Sequence, residues 1–312
     1  MAANNHSVVV DFVLQGFAQN SWLQGTFSSA FLLLYLMAFA GNGLIVMAIC
    51  LNSALHTPMY FFLTNLAVVD LVCTSTILPK LLENLVGKDN TISYRSCMTQ
   101  LFFLTLVLGA ELLLLTVMAY DRYVAICQPL HYHTVMNRSL CALLAGGVWT
   151  VSGVNSSVHT GLMARLTFCG PNQIHHFLCE IPTLLLLACG PTYLNNIMLV
   201  IADIFFGGVN FLLTMVSYAF IISSILRIRS AEGKHRAFST CSSHLLVVCM
   251  YYSTLIYTYF VPGSGSSTKN SKVVTILYTA VSPTVNPLIY TLRNKNVKLA
   301  LRKVFSAFSK YK

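Results

Sequence analysis

The sequence predicts an all-α membrane protein, a bundle of seven transmembrane helices followed by a short amphipathic C-terminal helix. Three observations predict it. Only 9% of the 312 residues are charged and 56% are hydrophobic, with mean hydropathy +0.69, whereas soluble domains carry about 25% charged residues. Apolar stretches of membrane-spanning length recur seven times. Basic residues gather on one set of alternating connections. The first observation alone argues against a soluble enzyme.

The seven stretches run over residues 26–51, 59–86, 98–127, 140–162, 197–226, 238–260 and 273–292. Each approaches or exceeds the ~20 residues that cross ~30 Å of hydrocarbon at ~1.5 Å per residue. Helix one follows an outer segment, 1–25, with no basic residue before Lys80, so it lacks the charged start of a cleavable signal and serves as an uncleaved one. Asn5-His6-Ser7 is a glycosylation sequon on that side. Helix two carries Asp70, and helix three carries Glu111 and ends in Asp121-Arg122-Tyr123. Ionised groups cost several kcal/mol in hydrocarbon and persist there mainly for function, so the triplet marks a membrane signalling protein. Helix five contains Asp203, helix six His244, and helix seven Asn286-Pro287. Proline removes a backbone donor, so helix seven bends at Pro287 with Asn286 serving the freed carbonyls. The receptor domain spans 26–292. In the tail, 293–312, Val297, Leu301, Val304, Phe305 and Phe308 form an apolar stripe flanked by Lys295, Lys298, Arg302 and Lys303. That stripe predicts a helix lying apolar face down on the inner leaflet.

Orientation follows from the basic residues. With the N-terminus outside, thirteen of the 19 fall inside, from Arg122 and Arg138 to Lys312, and six outside: Lys80, Lys88, Arg95, Arg165, Lys269 and Lys272. The formal charge of +10 then belongs to a surface facing anionic lipid rather than to a nucleic-acid binder.

Six of the ten cysteines, among them Cys50, Cys73 and Cys249, lie in helices or at their inner ends and read as reduced packing residues. The other four, Cys97, Cys169, Cys179 and Cys189, lie on the outer side, where four thiols allow three pairings. Our expectation is Cys97–Cys179 with Cys169–Cys189, clamping the long outer loop across the mouth of the bundle. The alternative is a metal site in His176-Phe177-Leu178-Cys179-Glu180, which a disulfide would deprive of its thiolate.

Several segments together resemble the class II, tetrapod-type branch of the olfactory receptors, a family of rhodopsin-like G-protein-coupled receptors. They are Gly41-Asn42; Pro58 to Leu63 with Asp70; Met118 to Cys127 with Pro129-Leu130-His131-Tyr132; Ser217-Tyr218; Ala237 to Leu245; and Asn286-Pro287-Leu288-Ile289-Tyr290 with Leu292-Arg293-Asn294. Only helix four contributes little, Trp149 alone. The chain departs from the usual pattern at Arg236, Tyr251, Ser253 and Thr284-Val285. The resemblance implies a receptor at the plasma membrane, in the cilia of olfactory neurons. It would bind small volatile odorants and activate a heterotrimeric G protein of the stimulatory olfactory type to raise cAMP. No cofactor, metal or catalytic residue is implied.

Asp121 beside Arg122 forms an ion pair that can lock the cytoplasmic end and release it, the bistable element a switch needs. The resemblance gives Arg122, with Tyr123, the contact to the G-protein α-subunit, and gives Tyr218 and Tyr290 the role of stabilising the open form. Asp70, Glu111 and His244 are buried by this topology and must pair, bind a cation or hold a proton. Three readings stand: a Glu111–His244 link that breaks on activation, a sodium or proton site at Asp70 with Glu111, and a structural network.

Helical spacing places Leu104, Thr105, Leu108 and Gly109 on one face of helix three, and Tyr252, Leu255, Ile256 and Tyr259 on one face of helix six. The resemblance turns both inward and adds Ala202, Asp203, Phe206, Ile276 and Thr279. Such a lining suits a small neutral ligand, bound weakly because about ten heavy atoms yield about 5–7 kcal/mol. Asp203 is read as a counter-ion for an amine, as a hydrogen-bond donor when protonated, or as a carboxyl bonded to neighbouring helices. A transporter would show internal repeats and interrupted helices in matching halves, which the chain lacks. A receptor for a metabolite outside the nose is the alternative within the class.

Overall fold

The computed structural model describes residues 11–16, 21–87, 89–169, 172–260, 268–293 and 297–302. Asn5, the side chain of Tyr259 and residues 303–312 lie outside the described residues. Seven long helices form the bundle. Helix one is Ser21–Leu51, helix two Pro58–Val86, helix three Tyr94–Cys127 and helix four Arg138–Met163. Helix five is Tyr193–Arg227, helix six Ala231–Phe260, and helix seven begins at Thr268 and ends at Arg293. Six are long and apolar enough to cross a membrane, and helix six has a shorter apolar stretch, Cys241–Tyr257.

Local chemistry sets the ends. Helix two starts at Pro58, whose missing N–H costs nothing in a first turn. Helix three starts four residues before its apolar run because Ser93 Oγ accepts from the Ser96 amide at 3.2 Å. Asn137 caps helix four in the same way, accepting from the Leu140 amide at 2.9 Å. Helix five contains a π-helical segment at Asp203–Val209 and helix seven another at Leu277–Val281. The wide turn in helix five is held by Asn210 Nδ2, which donates to the Phe205 carbonyl at 2.9 Å.

Helix three is the axis, packed against helices two, four, five and six. Large side chains such as Leu32, Leu33, Leu36, Leu212 and Leu213 are exposed on the bundle's outside, as lipid-facing residues should be. Lipid is as apolar as they are, so close packing and interhelical hydrogen bonds hold the helices together. Trp149 Nε1 donates to Asn65 Oδ1 at 2.9 Å, and the Thr116 and Thr214 hydroxyls meet at 3.2 Å. Cys50 and Cys249 also face outward rather than packing inside.

The end of the bundle that carries the disulfides, which we call the outer end, holds structure that hydrophobic periodicity did not indicate. Asp11–Leu14 forms a strand, β1, between β2 (Thr91–Ser93) and β3 (Gln173–Ile174). It pairs antiparallel with β2 and parallel with β3. Strands this short have too few residues to display alternation. Phe12 and Leu14 bury themselves with Ile92, Cys97, Phe168, Ile174 and Cys179 in a small core separate from that of the bundle. At the other end residues 297–302 are helical. Val297 and Ala300 are buried against the bundle, while Val304, Phe305 and Phe308 of the expected stripe lie outside the described residues.

Candidate functional site

At the inner end of helix three, Arg122 Nε donates to Asp121 Oδ2 at 3.0 Å, and its Nη2 donates to the same oxygen. Asp121 is fully buried, so its second oxygen needs a donor, and Tyr132 supplies one: its hydroxyl donates to Oδ1 at 2.8 Å. Burial and the Asp121 charge raise the Tyr132 phenol well above its ordinary value, which keeps it a donor. Tyr132 lies in the turn after helix three, so the ion pair also fastens the connection to helix four. Facing Arg122 across the bundle, Tyr218 and His244 join helices five and six through a 2.6 Å bond between the phenol oxygen and Nδ1. Tyr290 of helix seven is buried nearby, its hydroxyl without a partner among the described residues.

This arrangement corrects the expected Glu111–His244 link. His244 Nδ1 bonds Tyr218, and the ring packs at the level of Leu115, one helical turn or ~6 Å farther in than Glu111. Glu111 is buried with one carboxyl oxygen unpartnered. It shares a polar cluster with Asp70, Cys73 and Tyr251, all within electrostatic reach.

Asn286 does not serve the carbonyls freed by Pro287; its Nδ2 donates to Asp70 Oδ2 at 3.1 Å. The carbonyl that Pro287 leaves without its helical donor is that of Pro283, four residues earlier. Asn42 of helix one donates to it at 2.9 Å and to its own Ala38 carbonyl at 3.0 Å. Beside it, a Cβ on Gly41 would stand 3.1 Å from the Pro287 ring, so the Gly41-Asn42 pair is shaped to the proline of helix seven.

In the outer half, the residues assigned to the ligand face divide. Leu104 and Tyr252 are buried, and Thr105, Leu108, Ala202, Leu255 and Ile276 are half-buried. Tyr252 packs edge-on against Phe211, ring centroids 5.0 Å apart. Gly109 and Phe206 belong to one contact: a Cβ on Gly109 would lie 3.1 Å from the Phe206 ring and 3.3 Å from Ser152 Oγ. Thr279 is buried with its hydroxyl bonded to the Thr275 carbonyl at 2.6 Å, while its own carbonyl faces Cys73 of helix two. Ile256 is displaced from the expected lining. It is 47% exposed and continues the outward row of Leu246, Cys249 and Ser253, because helical spacing leaves it on the flank of the Tyr252 face. Asp203 is half-buried in the π-helical segment and engaged within the protein.

Over this half lies the clamped loop. Cys97 joins Cys179 and Cys169 joins Cys189, with Cα atoms 5.5 and 5.9 Å apart, so Cys179 has no thiolate to offer a metal. Gln100, one turn below Cys97, accepts from the Cys179 amide at 2.9 Å and donates to the Thr76 carbonyl of helix two at 3.2 Å. His176 is buried on the ring of Phe177, its Nε2 3.7 Å from Glu180 Oε1. Burial lowers His176 to about 3, helped by the Lys272 charge, and raises Glu180 to about 7. Lys272 Nζ donates to the carbonyls of Gln15 and Gly16 at 2.8 and 3.1 Å, tying β1 to helix seven. Gln100 and Lys272 carry no sequence signal beyond a lone amide or amine, and the Gly41-Asn42 motif did not disclose which carbonyl Asn42 serves.

A multi-pass helix bundle with an ion pair at the inner end of its central helix and a polar hinge in its last one is a seven-helix membrane receptor. Comparison with known proteins agrees. A sequence profile described as olfactory receptor matches residues 31–308. Human olfactory receptor 13A1 is 57% identical over 98% of this chain and 93% of its own length, and human olfactory receptor 13G1 is 54% identical over 98% and 100%. Mouse olfactory receptor 5AR1 is 46% identical over 97% and 98%. The chain belongs to the olfactory receptor family, a family of receptors and not of enzymes.

Proposed function

We propose that this receptor binds small, mostly apolar volatile molecules in the outer half of the bundle and, on binding, activates a stimulatory olfactory-type G protein that raises cAMP. The observation that carries the reading is the Asp121–Arg122–Tyr132 cluster facing the Tyr218–His244 pair and Tyr290. Helices three, five, six and seven each contribute one side of it. Outward movement of helix six would carry His244 away from helix three and expose Arg122 to the α-subunit, with Tyr218 and Tyr290 as new partners. Switching then requires only that ligand bind the two packings unequally. The N-terminus faces outward and the basic connections inward, against anionic lipid, in the plasma membrane of olfactory cilia.

The ligand space is bounded by Leu104, Thr105, Leu108, Tyr252, Leu255 and Ile276, apolar apart from hydroxyls. This suits a ketone, ester or alcohol rather than an ion. Engagement of Asp203 within the protein weighs against its acting as a free counter-ion for an amine. The test is cAMP in cells expressing the chain with an olfactory-type G protein, challenged with alcohols, ketones, esters, acids and amines. A dose-dependent rise abolished by Arg122→Ala is expected. Silence from a receptor shown to be at the surface, across a wide panel, would refute the reading.

A further inference from the structure

Helix four contributes none of the ligand or switch residues named for the bundle, yet one face of it is polar and buried: Ser152, Ser156 and His159. A buried hydroxyl on a helix has an acceptor close by, the carbonyl one turn back. Ser157 bonds the Gly153 carbonyl at 2.8 Å, Thr74 that of Asp70 at 2.9 Å, and Thr284 that of Ala280 at 2.7 Å. Ser156 reaches across instead, donating to the Phe102 carbonyl of helix three at 2.5 Å. Ser152, one turn farther in, does neither. It is 0% exposed, and its hydroxyl has no partner among the described residues, a costly state for a buried donor.

That hydroxyl is aimed at helix three. The place where Gly109 would carry a Cβ lies 3.3 Å from Ser152 Oγ and 3.1 Å from the edge of the Phe206 ring. Helices three, four and five therefore meet at one point, with a bare Cα on the first, an unused hydroxyl on the second and an aromatic ring on the third. Phe206 stands in the π-helical segment Asp203–Val209, a kind of turn that recurs at functional sites. Its ring has no hydrogen bond to break on leaving, so a rotamer change is enough to vacate the place.

We propose that Ser152 is the polar anchor of the ligand, its hydroxyl donating to the carbonyl oxygen of a ketone, aldehyde or ester that takes the place of the Phe206 ring against Gly109. The proposal rests on the reading that ligand occupies the outer half of the bundle, and it adds helix four to the wall formed there by Thr105 and Leu108. A carbonyl oxygen offers lone pairs and no proton, so it satisfies the orphan donor without bringing a second donor into an apolar wall. An alcohol brings one, and a hydrocarbon leaves Ser152 as it is.

The test measures binding apart from signalling. Full-length receptor in lipid nanodiscs is melted with a panel of volatile ketones, each paired with the alkene in which a methylene replaces the carbonyl oxygen, and the ligand-induced rise in Tm reports affinity. Wild type should bind at least one ketone about ten-fold more tightly than its alkene. Ser152→Ala should erase that preference by weakening the ketone alone, and Ser152→Cys, a weaker donor of similar size, should fall between. Without ligand, Ser152→Ala should melt no lower than wild type, since it deletes a group that bonds nothing. Gly109→Ala should weaken ketone and alkene together, because its methyl stands where the ligand must lie. A ligand-free Tm that falls by several degrees in Ser152→Ala would show that the hydroxyl has a partner of its own, and would overturn the proposal. So would a ketone preference that survives Ser152→Ala, the absence of any such preference in wild type, or full affinity for both ligands in Gly109→Ala. A ketone that is held through Ser152 but raises no cAMP would instead count only against the proposed function.

Discussion

Asn42→Ala is the most informative single change, because it removes the donor for a carbonyl that the chain itself has orphaned. Pro287 cannot bond the Pro283 carbonyl, and Asn42 does so at 2.9 Å from a site 1% exposed. An interhelical hydrogen bond in a membrane protein averages about 0.6 kcal/mol, because a lost partner is usually replaced. Here replacement is harder: the site is buried, and the helix has no N–H at position 287 to offer. The relevant figure is the penalty for an unsatisfied buried carbonyl, about 1–3 kcal/mol. We expect a loss of about 2 kcal/mol, a fall in Tm of roughly 4–8 °C for a chain of this size. Thermal unfolding of detergent-solubilised receptor, followed by fluorescence-detected size exclusion, measures it. The decisive comparison adds Pro287→Ala, which restores the backbone donor. In that background Asn42→Ala should cost only about 0.5 kcal/mol, giving a coupling of about 1.5 kcal/mol between positions in direct contact. Equal losses in both backgrounds would refute the orphan-carbonyl account.

Asp121→Asn weakens the pairing with Arg122, and basal cAMP should rise several-fold, since about 1 kcal/mol of switch bias is a five-fold shift in population. Tyr132→Phe removes one of the bonds to Asp121 and should produce a smaller rise in the same assay. Gln100→Leu leaves the Cys179 amide without its partner and removes the side-chain donor to the Thr76 carbonyl, and should lower Tm by several degrees, about 1–3 kcal/mol, with both disulfides intact by mass spectrometry. In the outer loop the two titrating groups oppose each other. Glu180, raised from 4.5 to about 7, binds an extra proton in the closed loop, so its contribution is full at low pH and is lost as pH rises through 7. His176, lowered from 6.5 to about 3, contributes above 6.5 and is lost as pH falls. Between those ordinary values the slopes cancel in the wild-type loop. His176→Phe leaves Glu180 alone, and resistance of the loop to limited proteolysis should then grow from pH 7 to pH 5 by about 1.4 kcal/mol per unit. A flat profile in that variant would dismiss the burial of Glu180.

The helices were legible because each is set by a local property, a run of apolar residues of fixed minimum length, and their caps only moved the ends by a few residues. The four cysteines that pair were legible from their place outside the helices, while their number left three pairings open and only the fold shows which one forms. The switch residues stood out as charges in an apolar run. What the sequence did not disclose depends on depth and on pairing across long separations. Glu111 and His244 are both plainly polar, yet a single helical turn decides that His244 meets Tyr218. Asn286 and Asn42 are both amides near the proline of helix seven in space, but only the fold shows which reaches the Pro283 carbonyl. Ile256 fits the inner face by its spacing, and a shift of under half a turn puts it outside. The sheet was unreadable for a different reason: its strands gain their partners from segments far away in the chain.

That separation has a consequence for biogenesis. β1 pairs with β3 at Leu14 and Ile174, positions about 160 residues apart, so at roughly 5–20 residues per second the strand waits some 10–30 s during synthesis for its parallel neighbour. β2 is made about midway through that interval, but Phe12 and Leu14 still lack the cover that Phe168, Ile174 and Cys179 give them. The last pieces to arrive complete the first piece made. Strand β1 therefore remains without its full set of partners until the loop after helix four has been made.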